Sequence, residues 1–206
     1  MEYGSKQPKR GYVNVYTERT LLISGSDKGI DAIVNFLKGC GYASISVVSS
    51  GDEARRMLQH DTFGLIVLNT PLKDEFGYQL SLQLTQNTCS GVVMLCKADM
   101  AEEMSNKTVS YGVLVVSKPL NRSALYQAVR MAKAMNGRMM HMKLENDKLQ
   151  KKLEELRCVS RAKCLLIERE QYTEEQAHRY IEKLAMDTRR NRKEVAMEIL
   201  SRYASV

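Results

Sequence analysis

Residues 64–69 read Gly-Leu-Ile-Val-Leu-Asn, an uninterrupted apolar run that ends on a polar side chain. Such a run is typical of a strand buried on both faces, because a half-exposed strand would alternate apolar and polar residues. Four more short apolar or β-branched runs occur before and after it. The predicted strands cover residues 20–24, 44–48, 64–68, 92–96 and 113–116.

Amphipathic helical patterns alternate with these strands, at residues 30–38, 50–58, 77–84, 99–106 and from residue 121 onward. Five strand–helix units in a row predict an α/β domain with a parallel sheet covered on both faces. Ligands and reactive side chains of such sheets lie at the carboxyl ends of the strands. The candidate residues at those ends are Gly25, Ser26, Asp27, Asn69, Cys96 and Lys118.

The stretch around residue 69 also carries a resemblance. Residues 68–77, Leu-Asn-Thr-Pro-Leu-Lys-Asp-Glu-Phe-Gly, and residues 117–120, Ser-Lys-Pro-Leu, resemble the receiver domain of bacterial response regulators. The resemblance covers residues 19–134 and implies a flavodoxin-like sheet of five parallel strands. It implies that the phosphoacceptor position, eight residues before Gly77, is held here by Asn69.

The resemblance also exposes departures from the family. Gly25 and Ser26 stand where the family has the acidic pair that holds Mg²⁺, Cys96 replaces the switch Ser or Thr, and Lys118 is retained. An aspartyl phosphate needs a carboxylate nucleophile, and Mg²⁺ prefers anionic oxygen ligands, of which Asp27 supplies one. We therefore expect a pseudo-receiver that takes no phosphate by the family's route and holds no metal or cofactor.

A proline-free helical stretch follows, from residue 121 to residue 170. Apolar residues recur in it at alternating spacings of three and four, which is typical of a coiled-coil seam and predicts a homodimer. The seam consists of Met139, Met142, Asn146, Leu149, Leu153 and Leu156. Like charges would meet beside a parallel pair, so parallel, antiparallel and exchanged arrangements stay open.

The last segment has three helical patterns and two capping sequences, Thr173-Glu174-Glu175-Gln176 and Asn191-Arg192-Lys193-Glu194. Residues 160–163 (Ser-Arg-Ala-Lys), 173–177, 184–186 (Leu-Ala-Met) and 194–196 (Glu-Val-Ala) resemble, in order and spacing, the ANTAR domain. The resemblance implies a three-helix bundle. It also implies a dimeric antitermination regulator that binds paired hairpins in nascent leader transcripts and prevents a downstream terminator from forming.

The C-terminal 70 residues carry more net positive charge per residue than the rest of the chain. The 206 residues carry 31 Lys and Arg against 24 Asp and Glu, a formal charge of +7, and residues 137–206 hold 16 basic and 12 acidic residues, or +4. Clustered cations favour a phosphate-rich partner. The candidate RNA-binding residues are Arg161, Lys163, Tyr172, Arg179, Arg189, Arg190, Arg192 and Lys193, with Tyr172 as a possible stacking platform.

These observations predict a polar tail at 1–18, a pseudo-receiver at 19–134, a coiled-coil linker at 135–157 and an ANTAR domain at 158–206. Five scattered cysteines and the lack of a long apolar run predict a cytoplasmic protein without a membrane partner. No base–nucleophile pair or phosphate loop is visible, which argues against an enzyme. Two alternatives stay open: a DNA-binding regulator, and a scaffold that binds no nucleic acid and answers to a partner protein.

Overall fold

The computed structural model describes residues 19–204, so the predicted tail at 1–18 lies outside the described residues. The chain divides after Met140 into two compact units. The long helix α5, Arg122–Glu170, begins in the first unit and ends in the second. Its unbroken course agrees with the proline-free stretch of the sequence, while the finer division into four segments stays a prediction.

The first unit is built on a parallel sheet of five strands in the order β2-β1-β3-β4-β5. This order is that of flavodoxin-like doubly wound folds, and it confirms the predicted fold class. All five residues of β3 are buried, as its apolar run predicted. The strands are β1 Arg19–Ser24, β2 Ser44–Val48, β3 Leu65–Asn69, β4 Gly91–Lys97 and β5 Val113–Lys118.

Helices cover both faces of this sheet because strand side chains alternate between the faces. On one face Leu21 and Ile66 pack with residues of α2, α3 and α4, and on the other Leu22 and Val67 pack with α1 and α5. The helices are α1 Ile30–Gly39, α2 Gly51–Leu58, α3 Tyr78–Asn87 and α4 Ala98–Thr108, followed by a 3₁₀ turn at Val109–Tyr111.

The second unit contains the end of α5 with α6, Glu174–Thr188, and α7, Arg192–Ala204. Ala162, Ile181, Val195 and Ile199 form its buried centre. The predicted capping box is present at α6, where Thr173 Oγ1 accepts from the backbone N–H of Gln176 and the Gln176 side chain accepts from that of Thr173. The three-helix bundle is thus confirmed, with its first helix continuous with the predicted coiled coil.

None of the helices between residues 19 and 204 is long and apolar enough to cross a membrane.

Candidate functional site

Asn69 lies at the carboxyl end of β3, beside the end of β1. Its side-chain amide is buried and donates to the Ser24 hydroxyl over 2.9 Å, while that hydroxyl donates to the backbone carbonyl of Ser26 over 2.7 Å. The amide group is therefore a structural crosslink between neighbouring strands. It offers no carboxylate for phosphoryl transfer.

Gly25 lies directly under the loop that follows β3. A Cβ at this position would stand 2.5 Å from the backbone carbon of Leu72 and 2.7 Å from the carbonyl oxygen of Pro71. A carboxylate side chain at residue 25 has no room here, and the side chains of Ser26 and Asp27 are exposed. The residues present therefore do not fit a Mg²⁺ ion, which needs a converging set of anionic oxygens.

The loop after β3 is held from its other side by Asp74. The Asp74 carboxylate accepts from the backbone N–H groups of Gly51 and Asp52 over 2.9 and 3.0 Å, at the start of α2. These bonds hold the pKa of Asp74 below its usual range. Arg55 of α2 also pairs with Glu75 over 2.7 Å. The loop is thereby fixed to α2 while its backbone covers Gly25.

Lys118 and Cys96, the remaining predicted residues of this edge, make different contacts. Lys118 Nζ donates to the backbone carbonyl of Thr70 over 2.7 Å, and burial lowers its pKa. Cys96 is fully buried in the core under the sheet edge, and burial raises the pKa of its thiol. A buried thiol with a raised pKa is unreactive.

The structure thus joins Asn69 to Ser24 and Lys118 to Thr70, buries Cys96, and leaves Ser26 and Asp27 at the surface. Sequence reasoning missed Leu72 and Asp74, which close the edge. The polar Lys-Asp-Glu run of residues 73–75 was the available signal for a loop. Among the described residues, no group of three His, Cys, Asp or Glu side chains is arranged to hold a metal ion.

Most of the predicted RNA-binding cations in the second unit are in ion pairs. The pairs join cations of α5, of α6 and of the segment that begins α7 to glutamates of the same unit. They are Lys163–Glu174 at 2.5 Å, Arg179–Glu175 at 2.5 Å, Arg190–Glu198 at 2.5 Å, Arg192–Glu155 at 3.3 Å and Lys193–Glu154 at 2.7 Å. Arg192 and Lys193 fasten the start of α7 to α5, so part of the basic cluster has a structural role.

Two of the predicted RNA-binding cations have unpaired side chains within residues 19–204. Within residues 19–204, the exposed side chains of Arg161 and Arg189 have no ion pair or hydrogen bond. Arg189 ends α6 in the left-handed conformation, with φ of 53°. Free guanidinium groups can pair with phosphate without first breaking a bond to glutamate.

Tyr172 is less available for base stacking than the sequence indicated, and the helix caps use backbone N–H groups at the starts of α6 and α7. Tyr172 is half-buried, packs against the bundle core, and meets Tyr180 edge to face with ring centroids 5.8 Å apart. At α7, Asn191 Oδ1 accepts from the backbone N–H of Glu194, and at α6 the capping box uses the equivalent group. The caps therefore occupy backbone N–H groups that an uncapped helix start would offer to an anion.

The predicted seam of α5 is open to solvent. Its apolar members are between 46% and 66% exposed, and Asn146 is exposed as well. The apolar members are Met139, Met142, Leu149, Leu153 and Leu156. These exposed side chains form an apolar stripe that Asn146 interrupts.

Two family models match the chain. Residues 21–130 match the response regulator receiver domain, and residues 147–200 match the ANTAR domain. The receiver match alone spans more than half of the 206 residues. Between them the two matches contain the closed sheet edge and the bundle with the free arginines.

Named relatives agree with this pair of matches. The transcriptional regulatory protein PdtaR of Mycobacterium tuberculosis is 23% identical over 168 residues, which are 82% of each chain. In structure, the chain is similar to a signal receiver domain from Pseudomonas fluorescens Pf-5, with a TM-score of 0.53, 17% identity and coverage of 60% of this chain and 91% of that one. The chain is also similar to a receiver domain protein from Methanospirillum hungatei JF-1, with a TM-score of 0.51, 17% identity and coverage of 58% of this chain and 96% of that one. At these identities the structural likeness supports the fold.

Proposed function

The chain belongs to the response regulator family and carries an ANTAR domain behind its receiver domain, and on this premise we propose that it is an RNA-binding transcription antitermination regulator. The observation that carries the proposal is the ANTAR match over residues 147–200, a stretch that holds 13 Lys and Arg against 11 Asp and Glu. The named relative PdtaR, a transcriptional regulatory protein, supports it. Its place of action would be the cytoplasm, where nascent transcripts are.

The proposed ligand is a pair of hairpins in a leader transcript. Hairpin loops present unstacked bases beside phosphates, and proteins bind them by base contacts together with cationic contacts to the backbone. Arg161 and Arg189 are the first candidates for phosphate contact because their guanidinium groups have no partner among residues 19–204. The paired cations Arg179 and Arg190 are secondary candidates, since their glutamate partners must be displaced first.

Dimerisation is the second part of the proposal. The exposed seam of α5 would pack against the same seam of a second copy, which buries apolar side chains that water now surrounds. One bundle in each copy would then hold one hairpin. A dimer holding both hairpins keeps the leader from forming the terminator in their place.

The receiver domain is proposed to act without phosphorylation. Asn69 supplies no nucleophile, and the closed edge above Gly25 leaves no acidic pair for Mg²⁺. Control would then come through this domain from another source, and the source that we propose is a regulatory protein partner.

The test is a gel-shift titration with a paired-hairpin leader RNA and with duplex DNA of matched length, using the full chain. We expect preference for the hairpin RNA and a dimer by light scattering. Arg161→Ala with Arg189→Ala should weaken binding and flatten its salt dependence by roughly 0.7 units of slope per lost contact. The control is Arg56→Ala with Lys107→Ala in the receiver domain. It should change neither the RNA affinity nor the salt dependence of binding.

Preference for duplex DNA would contradict the proposal in favour of a DNA-binding regulator. The absence of salt-dependent binding to either nucleic acid would contradict it in favour of a scaffold. Unchanged RNA binding by the Arg161 and Arg189 double variant would overturn the residue assignment.

A further inference from the structure

A groove runs along the outer surface of the first unit, between α1 and the first turns of α5. Both helices pack on the same face of the sheet, where Ile33 and Leu37 share a core with Leu125 and Val129. We call this surface the α1–α5 groove and define it by Phe36, Cys40, Arg122, Tyr126, Arg130 and Lys133.

Three adjoining cavities make up the groove. Cavities of about 340 and 510 Å³ share Phe36 and Arg122, and the second of them shares Cys40 and Tyr126 with a third of about 330 Å³. Their α5 residues extend from Arg122 to Ala134, which is about 18 Å at 1.5 Å per residue. An open groove of this length fits a helical segment of a partner better than a compact small molecule.

The charge of the groove has one sign. Among the described residues, Arg122, Arg130 and Lys133 line it, and no aspartate or glutamate does. In the described chain these three cations have no carboxylate partner; Arg130 lies over the ring of Tyr126, with 5.9 Å to its centroid, and Lys133 over that of Tyr42, with 5.7 Å. By contrast, the cavity beside α2 mixes Arg56 with Glu53 and Asp61.

Apolar surface accompanies these cations. Leu120 and Tyr126 are 37% and 46% exposed, and Phe36 is partly buried at the centre of the groove. An interface that combines exposed apolar side chains with unpaired charges of one sign selects a partner with apolar side chains and the opposite charge. Nucleobase stacking fits less well, because a cation already covers the Tyr126 ring.

We propose that the α1–α5 groove binds an acidic amphipathic helix of a partner protein. Apolar side chains of that helix would cover Phe36, Leu120 and Tyr126, and its carboxylates would pair with the cations of α5. Arg122 and Arg130 are eight residues apart on α5, and Lys133 follows three residues later. A partner helix that runs parallel to α5 would therefore present acids at positions i, i+8 and i+11.

The test uses a fluorescein-labelled 16-residue helical peptide with a leucine stripe and glutamates at i, i+8 and i+11. It is titrated with the full chain and followed by anisotropy. We expect saturable binding that weakens with salt, and a loss of about tenfold or more both for the peptide with glutamine in place of glutamate and for Arg130→Glu with Lys133→Glu. Arg56→Glu with Lys107→Glu is the control and should bind as the parent chain does.

Arg130→Gln with Lys133→Gln removes the charges without reversing them and should give an intermediate loss, and circular dichroism checks that each variant is folded. Equal binding of the glutamate and glutamine peptides, or no binding of either, would overturn the proposal. Charge reversal at residues 130 and 133 has two further outcomes that would overturn the proposal. A loss of hairpin RNA affinity would assign the groove to RNA, and a loss of dimer mass would assign it to a second copy of the chain.

Discussion

The backbone carbon of Leu72 lies 2.5 Å from the point where a Cβ on Gly25 would stand. The glycine is therefore required for a close approach of two backbone segments. Asp74 holds the same loop from its other side through two backbone N–H groups of α2. The closure of the sheet edge is built from contacts within the chain itself.

Gly25→Ala should destabilise the receiver domain by about 1–3 kcal/mol, because the added methyl group meets backbone that cannot rotate away. Denaturant unfolding followed by circular dichroism measures the change. Gly39→Ala is the control, since nothing lies within 4 Å of its added Cβ and it ends α1. We expect this control to be neutral or stabilising by up to about 1 kcal/mol. Equal stability of the two variants would show that the loop yields easily.

Asn69→Asp should not make the protein phosphorylatable. The variant gains a carboxylate, but the positions of Gly25 and Ser26 still supply no acidic pair for Mg²⁺, and Leu72 still covers Gly25. Incubation with acetyl phosphate and Mg²⁺ followed by intact-mass spectrometry checks this. Asn87→Asp, at the exposed end of α3, controls for an added carboxylate. A phosphoryl adduct on the Asn69 variant alone would mean that the edge can open.

The Asp74 carboxylate should stabilise the domain at neutral pH and lose that effect in acid. Its pKa is lowered in the folded state, so its contribution is present above the ordinary carboxyl pKa of about 3.9 and is lost as pH falls through the folded value. Asp74→Ala should cost about 1 kcal/mol or less at pH 7, because the group is exposed and solvent screens it. The difference between the variant and the parent chain should shrink as the pH falls through the lowered pKa that Asp74 has in the folded state.

Urea titrations at a series of pH values measure this difference. Asp27→Ala is the matched control, since the Asp27 side chain is exposed in the same domain and lies outside the contact between the loop and α2. A gap between the parent chain and the Asp74 variant that stayed constant from neutral to acid pH would contradict the capping role.

The sequence correctly predicted the strands and helix starts that depend on the local pattern of residues. The apolar run at 64–69 became the fully buried strand β3, and the Thr173–Gln176 box became the start of α6. Asn69 and Lys118 lie at strand ends because parallel sheets place them there. The pattern could not show that Leu72 covers Gly25 or that Tyr172 packs on Tyr180. Those contacts depend on the paths of loops and on neighbours distant in sequence, as does the pairing of Lys193 with Glu154.

Leu149→Lys with Leu156→Lys should convert the proposed dimer to a monomer. Both side chains lie on the exposed seam, and lysines there would place charges inside the interface between two helices. Light scattering gives the mass. Leu144→Lys is the matched control, because Leu144 is 52% exposed on the same helix but outside the seam. A dimer that survives the double change would move the interface elsewhere, and an effect of the control would argue against the assigned heptad positions.

Lys193 and Glu154 should contribute to the docking of α7, whereas Arg189 should contribute to RNA affinity. Lys193 Nζ lies 2.7 Å from Glu154 Oε2, and the pair raises the pKa of the lysine and lowers that of the glutamate. Lys193→Glu should therefore lower the melting temperature of the bundle, since it sets two carboxylates side by side. The swap of Lys193→Glu with Glu154→Lys should restore it. Hairpin RNA binding should weaken in Lys193→Glu. It should recover in the swapped protein, because the swap restores both the net charge and the stability of the bundle.

Arg189→Ala should behave in the opposite way, with a melting temperature near that of the parent chain and a weaker, less salt-dependent affinity for RNA. If RNA binding stayed low in the swapped protein after its stability had recovered, the ammonium group of Lys193 would itself contact phosphate. Lys193 would then belong to the RNA surface together with Arg189, and the ion pair with Glu154 would be an arrangement of the RNA-free state.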